Sequence, residues 1–218
     1  AIVADETFEI TTLRRDVDTD GRHATVQFTE DWSIDARRRD FTINAMYCDI
    51  NGTLYDPLKG ASDLKSGVVR FVGNAETRIQ EDTLRILRFF RFYAYFGKGP
   101  PDPKALDACD AAARKLNSLS GERICSELLR WLAAPDPMPA IKYADESGVL
   151  SSALQFSPNT EAIGRTENLV SIENQTGRVD PLRRLASLTS NPKQRATVAS
   201  RLKISNKSRH RFDAMFVS

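Results

Sequence analysis

Two constellations in this sequence have residue types and spacing that could do chemistry. In the stretch from Thr77 to Phe96, which holds neither glycine nor proline, Asp82, Arg85, Arg88 and Arg91 fall three apart. On one long helix, at about 100° per residue, they form a stripe that winds slowly around the axis. Asp82 offers only acceptors and Arg85 only donors, so together they present an acceptor beside a donor. Cytosine (N3 with its N4 amine) and adenine (N1 with its N6 amine) carry the complementary pair, whereas uracil and guanine carry the reverse polarity and should be rejected. The plain alternative is a solvated ladder in which Glu81 and Asp82 pair with Arg85, worth roughly 0.2–0.5 kcal/mol per pair. Ile79, Ile86, Leu87, Phe89, Phe90, Phe92, Tyr93 and Phe96 take up most of the remaining circumference. That much apolar surface favours a helix packed between layers, its charged stripe lining a cleft.

The second constellation is Arg37-Arg38-Arg39-Asp40-Phe41-Thr42-Ile43-Asn44-Ala45. Planar guanidinium forks suit phosphate oxygens, so an arginine at a helix–strand junction could bind a triphosphate, and Asp40 could accept a hydrogen bond from a ribose hydroxyl. The alternative is a basic helix end, favourable beside the C-terminal partial charge, followed by an ordinary amphipathic strand. Composition narrows the chemistry further. Three cysteines without paired spacing and two histidines argue against a disulfide framework and against zinc sites, and they point to the cytoplasm. Any catalysis should run on carboxylates, arginines and a borrowed metal ion. The net charge is only +2 over 218 residues, so the clustering of arginine says more than its total. No apolar run approaches the roughly 20 residues of a membrane span, and Ala1 to Glu6 lacks the basic flank of an export signal.

The elements that must position these residues change character at Gly73. Before it, the pattern predicts a strand from Thr7 to Leu13, a polar excursion from Arg14 to Asp31 with Asp20-Gly21 as a turn, and a short helix, Ile34 to Arg38, capped by Ser33. A strand from Phe41 to Ile50 should follow, then a hairpin at Asn51-Gly52 and a short strand from Val68 to Val72. After Gly73 only helices are predicted: Thr77 to Phe96, one opened by Asp102-Pro103 and running to about Leu116, Gly121 to Ala134, Pro139 to Glu146, Pro181 to Leu188, Pro192 to Leu202, and one capped by Ser205. From Ser157 to Arg178 the periodicity is too poor to assign. The chain stops at Val217-Ser218 without a terminator, which reads as a cut end. The fold class is α+β, a sheet-rich head followed by an all-α extension.

Arg38-Arg39-Asp40-Phe41-Thr42-Ile43-Asn44-Ala45, Asp56-Pro57 with Gly60 and Asp63-Leu64, Glu81-Asp82-Thr83-Leu84-Arg85 with Arg88 and Arg91-Phe92, and Ser120-Gly121-Glu122-Arg123-Ile124 occur in that order. This spaced set resembles the class II tRNA nucleotidyltransferases, the CCA-adding enzymes, and their relatives the bacterial poly(A) polymerases. The resemblance implies part of a polymerase-β-type head (a mixed sheet with a short helix) over residues 1–74, a helical neck over 75–148 and the start of an RNA-binding helical body over 149–218. It implies nucleotide bound between head and neck, with Asp82 and Arg85 reading the incoming base, Arg39, Arg88 and Arg91 contacting the nucleotide and Asp40 near the ribose. It further implies that Arg14 to Asp31 is a flexible loop and that Asp56 to Leu64 is a hinge-like segment.

Family members also carry an Asp-x-Asp strand that holds two magnesium ions, and none is visible before Thr7. Asp16-Val17-Asp18 and Asp18-Thr19-Asp20 fit the pattern but fall where the family has its loop. Glu9 could be a third carboxylate, or equally an exposed strand residue. The function implied is template-independent addition of C and A to the tRNA 3′ end from CTP and ATP with Mg2+. The alternatives are poly(A) polymerase activity on RNA 3′ ends and an RNA-binding piece made inactive by its missing metal carboxylates.

Overall fold

Short polar side chains ahead of helices, and prolines in their first turns, punctuate this chain, and most helices begin where these residues stand. The computed structural model describes the backbone at residues 2–3, 6–7, 11–19 and 24–215, and side chains at 11–15 and 27–215. β1 (Ile2–Val3) pairs with β2 (Glu6–Thr7). The predicted strand to Leu13 is not formed at Thr11 to Leu13, and Glu9 lies outside the described residues. Where a loop was expected, β3 (Arg14–Thr19) and β4 (Ala24–Phe28) form an antiparallel hairpin with an irregularity between Asp16 and Asp18. The alternation Thr25-Val26-Gln27-Phe28 supplies the strand character that the charges of Arg14 to Asp20 obscure. The turn at Asp20-Gly21 lies outside the described residues.

α1 (Trp32–Arg37) is capped by Asp31, whose carboxylate accepts from the Ser33 N–H at 2.7 Å, so Ser33 is inside the helix rather than its cap. The expected strand from Phe41 to Ile50 is largely absent. Phe41 makes an isolated bridge to Phe71, and Thr42–Asn44 closes a 3-10 turn. Only β5 (Tyr47–Cys48) pairs onward, with β6 (Leu54–Tyr55), across the predicted Asn51-Gly52 turn, where Gly52 has φ +87°. The diversion is local, because the Asp40 carboxylate takes the Phe41 N–H and the Asn44 amide and curls the backbone away from a ladder. Asp56 likewise takes the N–H groups of Gly60 and Ala61 and opens α2 (Gly60–Ser66), a helix not foreseen. Among the described residues the strands thus form three antiparallel pairs.

The helical part begins with α3 (Ala75–Glu81) and α4 (Arg85–Phe96), followed by α5 (Pro103–Ala112), which tightens into a 3-10 segment over Ala113–Ser118. Then come α6 (Gly121–Leu132), α7 (Met138–Glu146), α8 (Val149–Leu154), α9 (Thr160–Thr176), α10 (Pro181–Ser187), α11 (Pro192–Arg201) and α12 (Asn206–Ala214). α9 is the helix whose periodicity was illegible. It buries Ala162, Thr166, Val170 and Glu173, a helical stripe of which half is polar. One apolar core runs from Phe41 through Phe89, Phe90 and Trp131 to Phe212, with α4 packed against α6 and α7 and α6 against α10. No helix among the described residues is long and apolar enough to cross a membrane.

Candidate functional site

The predicted helix from Thr77 to Phe96 breaks at the residue on which the base-reading hypothesis rests. Asp82 is extended (φ −152°, ψ 106°), and its carboxylate accepts from the Leu84 N–H at 3.1 Å, which lets the chain restart as α4. Asp82 therefore does not share a continuous stripe with Arg85. Its oxygens meet Arg123 Nη2 at 3.0 and 2.9 Å. Arg85 instead donates from Nη1 to Glu81 Oε2 at 2.5 Å and to the Arg78 carbonyl at 2.8 Å. Of the alternative ladder, the Glu81–Arg85 rung exists, whereas the Asp82 side chain is paired to Arg123.

The break nevertheless delivers both side chains to one place. Arg38, Arg39, Asp40, Asn44, Asp82, Leu84, Arg85, Arg88, Phe92 and Arg123 line a cavity of about 610 Å³ where α1 and the 3-10 turn face α4 and the first turn of α6. Five guanidiniums face two carboxylates there, so the lining is net positive although the chain is nearly neutral. Among the described residues, Asp82 Oδ2 accepts only from Arg123 and Arg85 donates only from Nη1, which leaves one Oδ2 lone pair and the Arg85 Nε and Nη2 groups to spare beside the break.

Asp40 is buried, with Oδ1 accepting from the Phe41 N–H (2.9 Å) and the Asn44 amide (3.0 Å), and Oδ2 held by Arg88 through Nε at 2.6 Å and Nη2 at 2.5 Å. Its lone pairs are filled, so it serves here as the anchor of Arg88. Glu127, buried on α6 one turn beyond Arg123, completes the support: Arg91 donates to it at 2.7 Å and Arg88 Nη1 lies 3.8 Å away. Arg91, predicted to contact nucleotide, packs over the Phe92 ring at 4.1 Å and does not line the cavity. Its apolar neighbours and Glu127 hold it inside the α4–α6 interface.

Arg39, Asp40, Asp82, Arg85 and Arg88 are thus brought together, and Glu9 lies outside the described residues. The side chains of Asp16 and Asp18 and the whole of Asp20 also lie outside them. Among the described residues no three His, Cys, Asp or Glu side chains converge on a metal position. Asp40 and Asp82 are each bound by an arginine and a backbone N–H, so the two cavity carboxylates do not make a magnesium site. Sequence reasoning did not assign Arg38, Asn44, Phe92 or Arg123 to the site. Arg123 had a signal, since it sits in the Ser120-Gly121-Glu122-Arg123 motif, but nothing in a linear pattern shows that it closes on a residue 41 positions earlier.

Residues 1–70 match the poly A polymerase head domain, and residues 101–162 match a probable RNA and SrmB-binding site of polymerase A. The mitochondrial CCA tRNA nucleotidyltransferase 1 of Danio rerio is 56% identical over 130 residues, which is 59% of this chain and 30% of that protein. The CCA-adding enzyme of Oceanobacillus iheyensis is 40% identical over 140 residues, 63% of this chain and 35% of that protein. Among solved structures, the Bacillus stearothermophilus CCA-adding enzyme in complex with CTP superposes with a TM-score of 0.76 at 25% identity, covering 98% of this chain and 51% of that one. The chain therefore spans about a third of the length of these two curated relatives.

Proposed function

This chain belongs to the nucleotidyltransferase family that holds the CCA-adding enzymes and the bacterial poly(A) polymerases, and on that footing we propose that it serves the template-independent addition of C and A to the tRNA 3′ end from CTP and ATP. The observation that carries the reading is the cavity itself, whose lining sets Asp82, with one Oδ2 lone pair to spare, and Arg85, bonded only through Nη1 among the described residues, beside Arg38, Arg39, Arg88 and Arg123. The Asp82 and Arg85 edges match cytosine and adenine, and the remaining guanidiniums match a triphosphate. In this reading, Arg39 and Arg88 contact the nucleotide, Asp40 fixes Arg88 at the ribose end, and Arg91 acts from behind through Glu127.

Residues 1–74 are read as head, 75–148 as neck and 149–218 as the start of the RNA-binding body, so that the nucleotide lies between head and neck. Magnesium would be held by carboxylates outside the described set, and its chemistry there would be to activate the attacking 3′ oxygen and to stabilise the leaving phosphate. What the described residues supply is binding, orientation and base choice, which together account for much of catalysis in phosphoryl transfer. The setting is an aqueous compartment containing tRNA, the cytoplasm by cysteine usage.

The deciding experiment offers the full-length protein tRNA lacking its terminal CCA, with CTP, ATP and magnesium. Incorporation of CMP followed by a single AMP is expected. Long A tails with no use of CTP would replace this reading with poly(A) polymerase activity, and the absence of any extension would leave only RNA binding.

A further inference from the structure

Asp35 contributes no surface to the cavity, yet it grips two of the guanidiniums that do. It is fully buried in α1. Its Oδ1 accepts from Nε (2.8 Å) and Nη2 (2.6 Å) of Arg38 and from the backbone N–H of Arg14 (3.1 Å). Its Oδ2 accepts from Nε (3.0 Å) and Nη2 (2.8 Å) of Arg39 and from the Tyr47 hydroxyl (2.6 Å). Burial alone pushes this acid upward, but the bonds from Tyr47, the Arg14 N–H, Arg39 and Arg38 outweigh it and hold the carboxyl well below the usual carboxylate range. Asp35 is therefore an anion throughout the working range of pH.

The geometry of the grip matters more than its charge. Among the described residues, Asp35 and the Arg14 carbonyl engage only the Nε and Nη2 groups of Arg38 and Arg39, which leaves the Nη1 edge of each for the cavity that both side chains line. Only a planar fork can be held on one edge while presenting another. Tyr47 supports the same arrangement twice, donating to Oδ2 and placing its ring 5.8 Å from the Arg39 guanidinium. Arg38 also donates from Nε to the Arg14 carbonyl at 3.0 Å, so the foot of the β3–β4 hairpin is tied into the cluster.

We propose that Asp35 is a positioning residue for nucleotide binding: it fixes Arg38 and Arg39 by one edge so that their opposite edges face the triphosphate, with Tyr47 as its second support. This rests on the reading of the cavity as a nucleotide site. In the full-length protein, Asp35→Asn keeps the shape but offers an amide N–H toward a guanidinium. Displacing groups that orient a substrate costs up to about 100-fold, so KM for CTP and ATP should rise on the order of 10- to 100-fold while kcat and the Kd for tRNA change much less. Loss of folded protein alone would instead lower apparent kcat at unchanged KM, and that result would overturn the proposal. So would KM values within twofold of wild type. If Asp35→Asn does not fold, Tyr47→Phe decides: it removes one of the donors to Oδ2, and a rise of about two- to fivefold in KM for both nucleotides is expected, whereas no rise overturns the proposal. A wild-type protein that binds neither CTP nor ATP by calorimetry would sink the underlying nucleotide reading, a failure distinct from a variant that binds as well as wild type.

Discussion

Asp82 and Arg85 sit three residues apart in sequence, yet each is held by a different neighbour, and that separation sets what each substitution should do. Asp82→Ala removes the carboxylate proposed to read the base and leaves Arg123 without its partner. A donor–acceptor pair read on a base edge is worth about 1–3 kcal/mol of discrimination. The preference proposed for the full-length protein, CTP and ATP over UTP and GTP, measured as ratios of kcat/KM, should therefore fall about 5- to 150-fold, with the folded fraction unchanged by circular dichroism. Unchanged ratios would remove Asp82 from base choice. Tyr47 gives a second outcome at this scale. Burial first, and then the Asp35 carboxylate beside it, pushes its phenol up to about 12. The unfolded chain releases that proton near 10, so stability from this group is intact below pH 10 and is lost as the pH rises towards 12. In Tyr47→Phe this alkaline fall should be smaller, as read from urea midpoints between pH 8 and 12.

At the scale of elements, what was legible followed from side chains that act on their own backbone. Proline in the first turn placed α5, α10 and α11, Ser205 placed α12 and Asn51-Gly52 placed the β5–β6 turn. What was illegible came from side chains that override periodicity. The unbroken apolar run from Thr77 to Phe96 reads as one helix until the Asp82 carboxylate takes the Leu84 N–H, and Asp40 and Asn44 likewise turn a strand pattern into a 3-10 turn. The same distinction separates two helical glycines. A Cβ on Gly121, in the first turn of α6, would stand 2.0 Å from the Arg201 carbonyl oxygen, at the end of a helix whose arginine bonds the carbonyls of Leu116 and Leu119. Gly121→Ala should cost about 1–3 kcal/mol and shift α6, with Arg123 on it. Gly164, inside α9, has nothing within 4 Å of its Cβ position. Gly164→Ala should stabilise by about 0.5–1 kcal/mol. Thermal unfolding of the two variants should move in opposite directions, and a shared direction would refute the steric account.

The whole molecule holds the cavity together from far away, and one buried ion pair shows how. The cavity lining was partly readable because motifs marked Arg39, Asp40, Asp82, Arg85 and Arg88. Their meeting was not readable, because it needs α6 to stand against α4, and α6 is anchored at its other end by residues of α9 and α10. Arg184, fully buried, donates from Nε to Glu173 at 2.6 Å and from Nη1 to the carbonyls of Leu132 (2.8 Å) and Ala134 (2.6 Å), where α6 ends. Glu173 also accepts from Arg183 at 2.8 Å. Glu173→Gln leaves the Arg184 charge buried without its counter-ion, which should destabilise by about 3–5 kcal/mol in urea unfolding of the full-length protein. An isolated buried pair can often be exchanged for apolar residues at little loss. Here, Arg184→Met combined with Glu173→Met should not recover stability, because the Leu132 and Ala134 carbonyls then lose a charged donor, at about 1–3 kcal/mol each. A double variant as stable as wild type would mean that the pair holds only itself; the expected deficit would mean that it holds the C-terminal end of the helix whose first turn presents Arg123 to Asp82.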